Sequence, residues 1–365
     1  MSRPGRVGAW SLALSVLLVA VIIGSAALGP VRIDPLTVAK AMANVLVVPW
    51  GFEWSALTLP VLERTVPHPG VGTRPVFGFD VPDTHQTIVG DVRLPRIALA
   101  ATVGFGLAAA GTVMQGFFRN PLADPSIIGV SSGAAAGAVA AIAFPALIPF
   151  ASLHLSAFVG AIVTAFLVYA IATEGGRTPV ATLLLAGVAV QAFLGAMISY
   201  MLVHSGENLR EAVIWMMGHL LGTNWGDVAF ALPFALVGVA ILGTYTRDLN
   251  VLLLGEEEAH QLGVDVERTK LLLLVLASIV TAAGVAVAGV IGFVGLVVPH
   301  MMRLVVGPDH RILLPTSALA GASFLVVTDT VARAGPAEVP VGIVTAALGA
   351  PFFLYLLKRR EVHSL

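Results

Sequence analysis

The sequence predicts an all-α polytopic membrane protein of about ten transmembrane helices, with both termini in the cytoplasm. Three observations carry that expectation. Of 365 residues, 57% are hydrophobic and only 11% charged, whereas a soluble domain carries about 25% charged residues. Apolar stretches of eighteen or more residues recur along the whole length, each long enough to cross a hydrocarbon core about 30 Å thick. Lys and Arg gather in alternate connections, which orients the helices.

The first span is read over 7–29. Arg3 and Arg6 precede it and Ser25-Ala26-Ala27 closes it, a pattern that also suits a secretory leader. The run from Val7 to Leu28 exceeds the roughly 7–15 residues of a leader's apolar core, which favours a membrane helix. Residues 30–90 are rich in Pro, Gly and charge and form a long extracytoplasmic loop. Two readings stay open for it: a lid, or a surface whose Trp50, Trp54, His68 and His85 touch a docked partner. The second helix covers 94–116. In the polar turn after it, Pro121 and Pro125 stop the flanking helices, because proline lacks an N–H and biases its predecessor out of helix. Asn120 and Asp124 can satisfy loose backbone ends there, and Arg119 holds the turn to the cytoplasmic side.

The third helix covers 126–144, with Pro145 and Pro149 marking the next turn. The fourth covers 153–173 and ends at Glu174-Gly175-Gly176-Arg177; the fifth covers 180–203. Residues 204–226 are polar, and Trp215 and Trp225 suit the headgroup level. The sixth helix covers 227–245, before an acidic, amphipathic segment at 246–267. The last four cover 269–288, 290–304, 312–333 and 340–357.

An even count puts both ends on one side. The side of the termini holds Arg3, Arg6, Arg119, Arg177, Arg247, Arg268, Lys270, Arg303, Arg311, Lys358, Arg359 and Arg360. The short opposite loops hold Arg210 and Arg333. Long translocated loops weigh little in this rule, so 30–90 does not alter the result. "AAAGTVMQGFFRNPL" and "VAVAGVIGFVGLVVPH" share an A-G-V step, a G-F and a Pro, which suggests that helices 2–5 and 7–10 are a repeat, as transporters often have.

Several chemistries are excluded. Net charge is −1, with no basic excess for nucleic acid. Without cysteine there is no disulfide and no thiolate metal site. No G-x-x-x-x-G-K-[ST] or H-E-x-x-H occurs. Gly104-Phe105-Gly106 lacks the third glycine and the preceding strand of a dinucleotide fingerprint; it reads as helix packing, where small residues let backbones approach. Glu257 and His260 stand three apart, but a carboxylate-bridged metal bundle needs two such motifs on core helices. No metal and no cofactor are expected. Asp329 lies inside a span, which marks a functional-site candidate; the alternative is a bond to Thr328, Thr330 or nearby backbone. His300, after Pro299, either satisfies carbonyls that the proline frees or relays protons, the local role being favoured.

"AAGTVMQGFFRNPLADPSIIGVSSGAA" resembles the signature of the FecCD-type permeases, membrane subunits of binding-protein-dependent ABC importers for metal chelates. The resemblance continues through "LLLAGVAV", "WMMG", "LLLGEEEAHQLGV", "GVIGFVGLVVPHMMRLVVGPDHRILLP", "GASFLVVTDTVAR" and "EVPVGIVTAALGAPFFLYLL". It runs in one order over about 91–357, within a single permease domain spanning 1–365.

The resemblance implies ten helices, a homodimer with a path between two copies, two cytoplasmic ATPase subunits and one extracytoplasmic binding protein. The family's ATPase-coupling helix falls on Gly255, Glu256, Glu257, Glu258, Ala259, His260, Gln261, Leu262 and Gly263, inside a coupling region at 250–266. Glycines at both ends can cap such a short helix; the rival reading is a solvated acidic turn. The binding-protein dock maps onto Arg93 and Arg96 in "LPR" and onto Arg333 in "VAR", where charge pairs set register and on-rate. Their plainer role is anchoring near headgroups. For Arg119, Asn120, Pro121, Asp124 and Pro125, a structural turn suffices, and ATPase contact would be an addition. The inner gate maps onto Val180, Ala181 and Thr182. Two of these are apolar where some members carry hydroxyls, so a gate here would close by dewetting.

The implied function is import of a bulky chelate, with ATP hydrolysed by another chain and no catalytic residue in this one. "LREAVIWMMGHLLGTNW" and the long loop are most similar to cobalamin-importing members, archaeal ones included. Ferric-siderophore or haem cargo is the alternative within the family. An ion-coupled secondary transporter is the alternative outside it, and would need paired intramembrane ionisable residues.

Overall fold

The computed structural model describes residues 3–59, 64–145, 152–335 and 337–359. Pro149 and Arg360 lie outside the described residues, as do the side chains of Arg3, Trp54, His68 and Arg359. The membrane helices are α1 (Arg3–Ala27), α4 (Leu94–Phe117), α5 (Val130–Ala143), α6 (Leu153–Ala172), α7 (Val180–Val203), α9 (Trp225–Thr244), α12 (Val266–Ala288), α13 (Val294–Val306), α14 (His310–Ala332) and α15 (Val341–Arg359). Seven are long and apolar enough to cross a membrane, and three, α5, α13 and α15, are shorter apolar helices. The ten expected spans are all present among the described residues.

The connections hold five short helices: α2 (Pro35–Val45), α3 (Asp83–Thr87), α8 (Leu209–Met216), α10 (Thr246–Leu252) and α11 (Glu256–Gln261). The 30–90 segment is more ordered than the sequence suggested. Asp34 caps α2 by accepting from the N–H groups of Leu36 and Thr37, with Pro35 in the first turn, where its missing N–H costs nothing. An antiparallel hairpin follows, β1 (Val47–Leu59) against β2 (Arg64–Pro75). Asn44 exchanges hydrogen bonds with both backbone groups of Phe79, and Gln86 Nε2 donates to Ala41 O. These bonds pin the base of the hairpin to α2 and α3.

α3 runs into α4 through a π-helical turn at Ile88–Arg93, so one helix spans Asp83–Phe117. Leu94 N–H bonds Val89 O, five residues back. The wider turn carries the helix through Pro95, which the sequence reading had placed at a helix start.

α4 is the axis of the molecule, buried over most of its length and flanked by α14, α12, α9 and α13. It feeds two cores: Ala109, Val113 and Met114 join α5, α6 and α12, while Leu99, Val103 and Leu107 join α1, α13 and α14. A Cβ on Gly104 would sit 2.3 Å from Gly321 O, and one on Gly321 would sit 2.4 Å from Gly104 O. Gly104 therefore serves helix packing, as expected from its context, and lets α4 and α14 cross backbone to backbone. α1 lies at the rim with Leu12, Val16 and Val19 exposed. Trp215 is only 4% exposed, so it packs in the core and is no interfacial anchor. Trp225 is exposed, and its indole donates to Gly90 O.

Candidate functional site

At the outer end of α4 and α14 the three expected docking arginines converge on one network. The buried Arg93 guanidinium donates to Ala26 O and Val31 O, at the end of α1. Arg96 grips Asp329 through Nε and Nη2, at 2.9–3.1 Å, and Nη1 reaches Glu338 Oε2 at 2.9 Å. Arg333 Nε lies 3.4 Å from Asp329 Oδ2, and Nη2 donates to Ser25 O and Ser25 Oγ. Asp329 is thus hydrogen-bonded by Arg96 and ion-paired with Arg333 as well. Thr328 and Thr330, its expected local partners, donate to backbone carbonyls of α14 instead. A carboxylate 1% exposed needs such charged partners to stay in place. All three arginines are engaged inside the chain, and Arg96 with Glu338 forms the water-facing edge of the network.

Beside this network an outer cavity of about 610 Å³ is lined by His154, Arg210, Glu211, Trp215, His219 and Asp227, among others. His219 N–H donates to Ala288 O and Gly342 N–H to Gly218 O. These bonds tie the segment after α8 to the ends of α12 and α15. Burial, with help from the Arg96 charge, holds the His219 imidazole below its ordinary pKa.

The cytoplasmic face carries the other expected residues. Arg119 takes a left-handed conformation, φ 49°. Its N–H bonds Gly116 O while Asn120 N–H bonds Gln115 O, the paired pattern that closes a helix C-terminus. α4 is thus stopped by Arg119, before Pro121 is reached. Pro125 opens the next helical turn, Pro125–Ile128, rather than ending a helix. Asn120 Oδ1 accepts from Leu122 N–H, and Asp124 Oδ1 from Ser126 N–H. Packing around Asp124 pushes its carboxyl above the usual carboxylate range, against the Ser126 bonds that lower it.

The acidic segment forms α11, with Gly255 at φ 135° before it and Gly263 at φ 85° after it. Both angles suit glycine alone. Val264 N–H returns to Ala259 O and Gly263 N–H to His260 O. Ala259 is buried, while Glu257, Glu258, His260, Gln261 and Leu262 face outward. A cleft of about 570 Å³ lies beside α11, lined by Arg177, Glu256, Glu257, His260, Asp265 and Glu267, among others. Val180, Ala181 and Thr182 form the first turn of α7, Val180 half-buried and the other two exposed.

Sequence reasoning missed Ser25, Glu338 and Lys270 as site residues. Each is a partner across long sequence separation, such as Arg333 to Ser25 over 308 positions. It also missed Asn250 of α10, which donates to Asp309 Oδ1 and accepts from His310 N–H, fastening α10 to α14. The Glu267/Lys270 spacing of three was the one local signal available.

A ten-helix bundle with polar handles at both faces has the architecture of a membrane transport subunit. The chain belongs to the FecCD transport family, whose pattern matches residues 16–359. It is 58% identical over 364 residues to the cobalamin import system permease protein BtuC of Halobacterium salinarum, covering 99% of this chain and 98% of that one. It is 45% identical to the hemin transport system permease protein HmuU of Yersinia pestis, over 75% of this chain and 84% of the relative. Its fold matches a solved structure described as an inward-facing conformation of a metal-chelate type ABC transporter. That match has a TM-score of 0.76 and 32% identity, covering 96% of this chain and 98% of the other.

Proposed function

We propose that the chain is the permease of a binding-protein-dependent ABC importer and that its cargo is cobalamin. The observation that carries the cargo is the end-to-end likeness to a cobalamin import permease, long outer segment included. In this reading two copies enclose the path, and α7 leaves Leu185, Val188, Phe193 and Val203 uncovered for a second copy. Two ATPase subunits grip α11 from below, and a binding protein docks over Arg96 and its neighbours. ATP closes the ATPases, α11 moves, and the apolar turn at Val180–Thr182 opens or dewets. Cargo biases this equilibrium only through its different affinity for the two states. An ion-coupled mechanism is disfavoured because Asp329, the carboxylate it would use, is held by two guanidinium groups.

The test is reconstitution of permease, ATPase and binding protein in vesicles, with uptake of cyanocobalamin, haem and a ferric hydroxamate compared. Cyanocobalamin should accumulate only with ATP and all three components. Accumulation of haem or the hydroxamate alone would overturn the cargo. Uptake by the permease alone would overturn the class.

A further inference from the structure

We propose that Lys270 is the positioning residue that carries movement of α11 to the gate turn at the start of α7. The proposal rests on the reading of α11 as the ATPase contact. Lys270 stands in the first turns of α12 with its side chain 5% exposed. Its ammonium makes two hydrogen bonds and one further ion pair. Glu256 Oε1 of α11 is at 3.2 Å, Glu267 Oε1 of α12 at 3.0 Å, and Thr178 O at 2.7 Å. The ammonium thus joins α11, α12 and the segment before α7 at one point.

The link to the gate is short. Thr178 lies two residues before Val180, and both its backbone groups are held. Its carbonyl accepts from Lys270, and its N–H donates to Glu267 Oε2 at 3.1 Å. Thr178 Oγ1 also shares a 2.9 Å bond with Thr173 Oγ1, at the end of α6. Pro179 follows, and its ring fixes φ. Holding Thr178 thus fixes the direction in which α7 sets out, and with it Val180, Ala181 and Thr182.

The charges make the tie stiff on the inner side and yielding on the outer. Glu256 is 42% exposed, so water can replace its bond. Lys270 is buried and cannot lose its carboxylates cheaply. A displacement of α11 therefore either draws Lys270 and Thr178 along or leaves the ammonium with Glu267 and Thr178 O, short of one carboxylate. The first shifts the gate turn, and the second loosens the hold on it.

The absence of cysteine allows a test that needs no cargo. Ala181 is exposed; Ala181→Cys gives one thiol at the gate of the full chain. The complex with its ATPase is labelled with a charged thiol reagent, with and without a non-hydrolysable ATP analogue. In the parent, the analogue should change the labelling rate by about tenfold, a coupling of about 1.4 kcal/mol. In Lys270→Met the response should vanish while ATPase copurification and nucleotide binding persist, and Lys270→Arg should restore most of it. Glu256→Gln cuts only the α11 limb at a half-exposed site and should weaken the response. If Lys270→Met fails to assemble, Glu256→Gln decides alone.

An undiminished response in Glu256→Gln and in any Lys270→Met complex that assembles, or no response in the parent, would overturn the proposal. The underlying reading fails separately: charge reversal at Glu257 and Glu258 should release the ATPase subunit, and retention of the subunit sinks that reading.

Discussion

Arg96 divides one guanidinium between two carboxylates of different exposure, Asp329 at 1% and Glu338 at 43%. The inner pair is structural, since removing one partner of a buried ion pair costs about 3–5 kcal/mol. Charge reversal at Arg93 or Arg96 would thus damage the fold before it reported on docking. Glu338 is the cleaner probe. If a docked protein presents carboxylates to Arg96, Glu338 competes with them. Glu338→Gln should tighten binding-protein affinity by roughly twofold to fivefold at low salt, the range of an exposed pair, and the gain should fade as salt rises. Titration at several salt concentrations checks this, and unchanged low-salt affinity would count against docking there. His219 gives a pH prediction. Its folded pKa is depressed, so below the ordinary value of about 6.5 the unfolded chain takes up a proton that the folded one resists. Its contribution to stability is whole above that value and is lost as pH falls through it. His219→Asn should flatten the dependence of melting temperature on pH between about 7 and 5, and an unaltered slope would refute it. The residues of the inner pair were visible in the sequence, Arg96 in "LPR" and Asp329 in "VTDT". Their union was not, because 233 positions separate them and no local period reports on that.

Among elements, the long apolar helices were legible because composition alone marks them. The short helix α11 was legible through the family resemblance, with a glycine at each end to cap it. The hairpin was not. Pro49, Pro67, Pro69 and Pro75 stand in its strands, and proline argues against a central strand. A two-stranded ribbon consists of edges only, where a missing N–H is tolerated. The short helices α2, α8 and α10 escaped because pieces this short are marginal by propensity and depend on tertiary ties such as Asn44 and Asn250. The crossing of α4 on α14 gives a prediction at this scale. Gly104→Leu must push Gly321 O and Leu325 aside, and overpacking of this kind costs about 1–3 kcal/mol or more. Gly284→Ala would place its methyl 3.5 Å from Val103, an ordinary contact. Melting of the purified protein in detergent should fall for the first and hold for the second; equal melting would show that the crossing yields.

For the whole molecule, the ten spans and their sidedness followed from hydropathy and the placement of Lys and Arg, whereas the outer assembly around α2 and α3 did not. The ties of that assembly lie below the hairpin's strands: Leu46 O accepts from Val76 N–H, and Asn44 and Gln86 bind beneath it. Replacing 47–75 with a short Gly-Ser link should leave membrane accumulation and ATPase copurification at the level of the full chain. Loss of either would mean that the ribbon is part of the folding unit. The helix from Asp83 to Phe117 has a further consequence. Its 35 residues extend about 52 Å, against a hydrocarbon thickness of about 30 Å. It stands clear of the bilayer like a mast, with the outer assembly as its rigging. Leaning the mast by about 5° about its foot swings its head by about 4–5 Å, so a small tilt at the cytosolic surface arrives outside as a sweep wider than a water molecule.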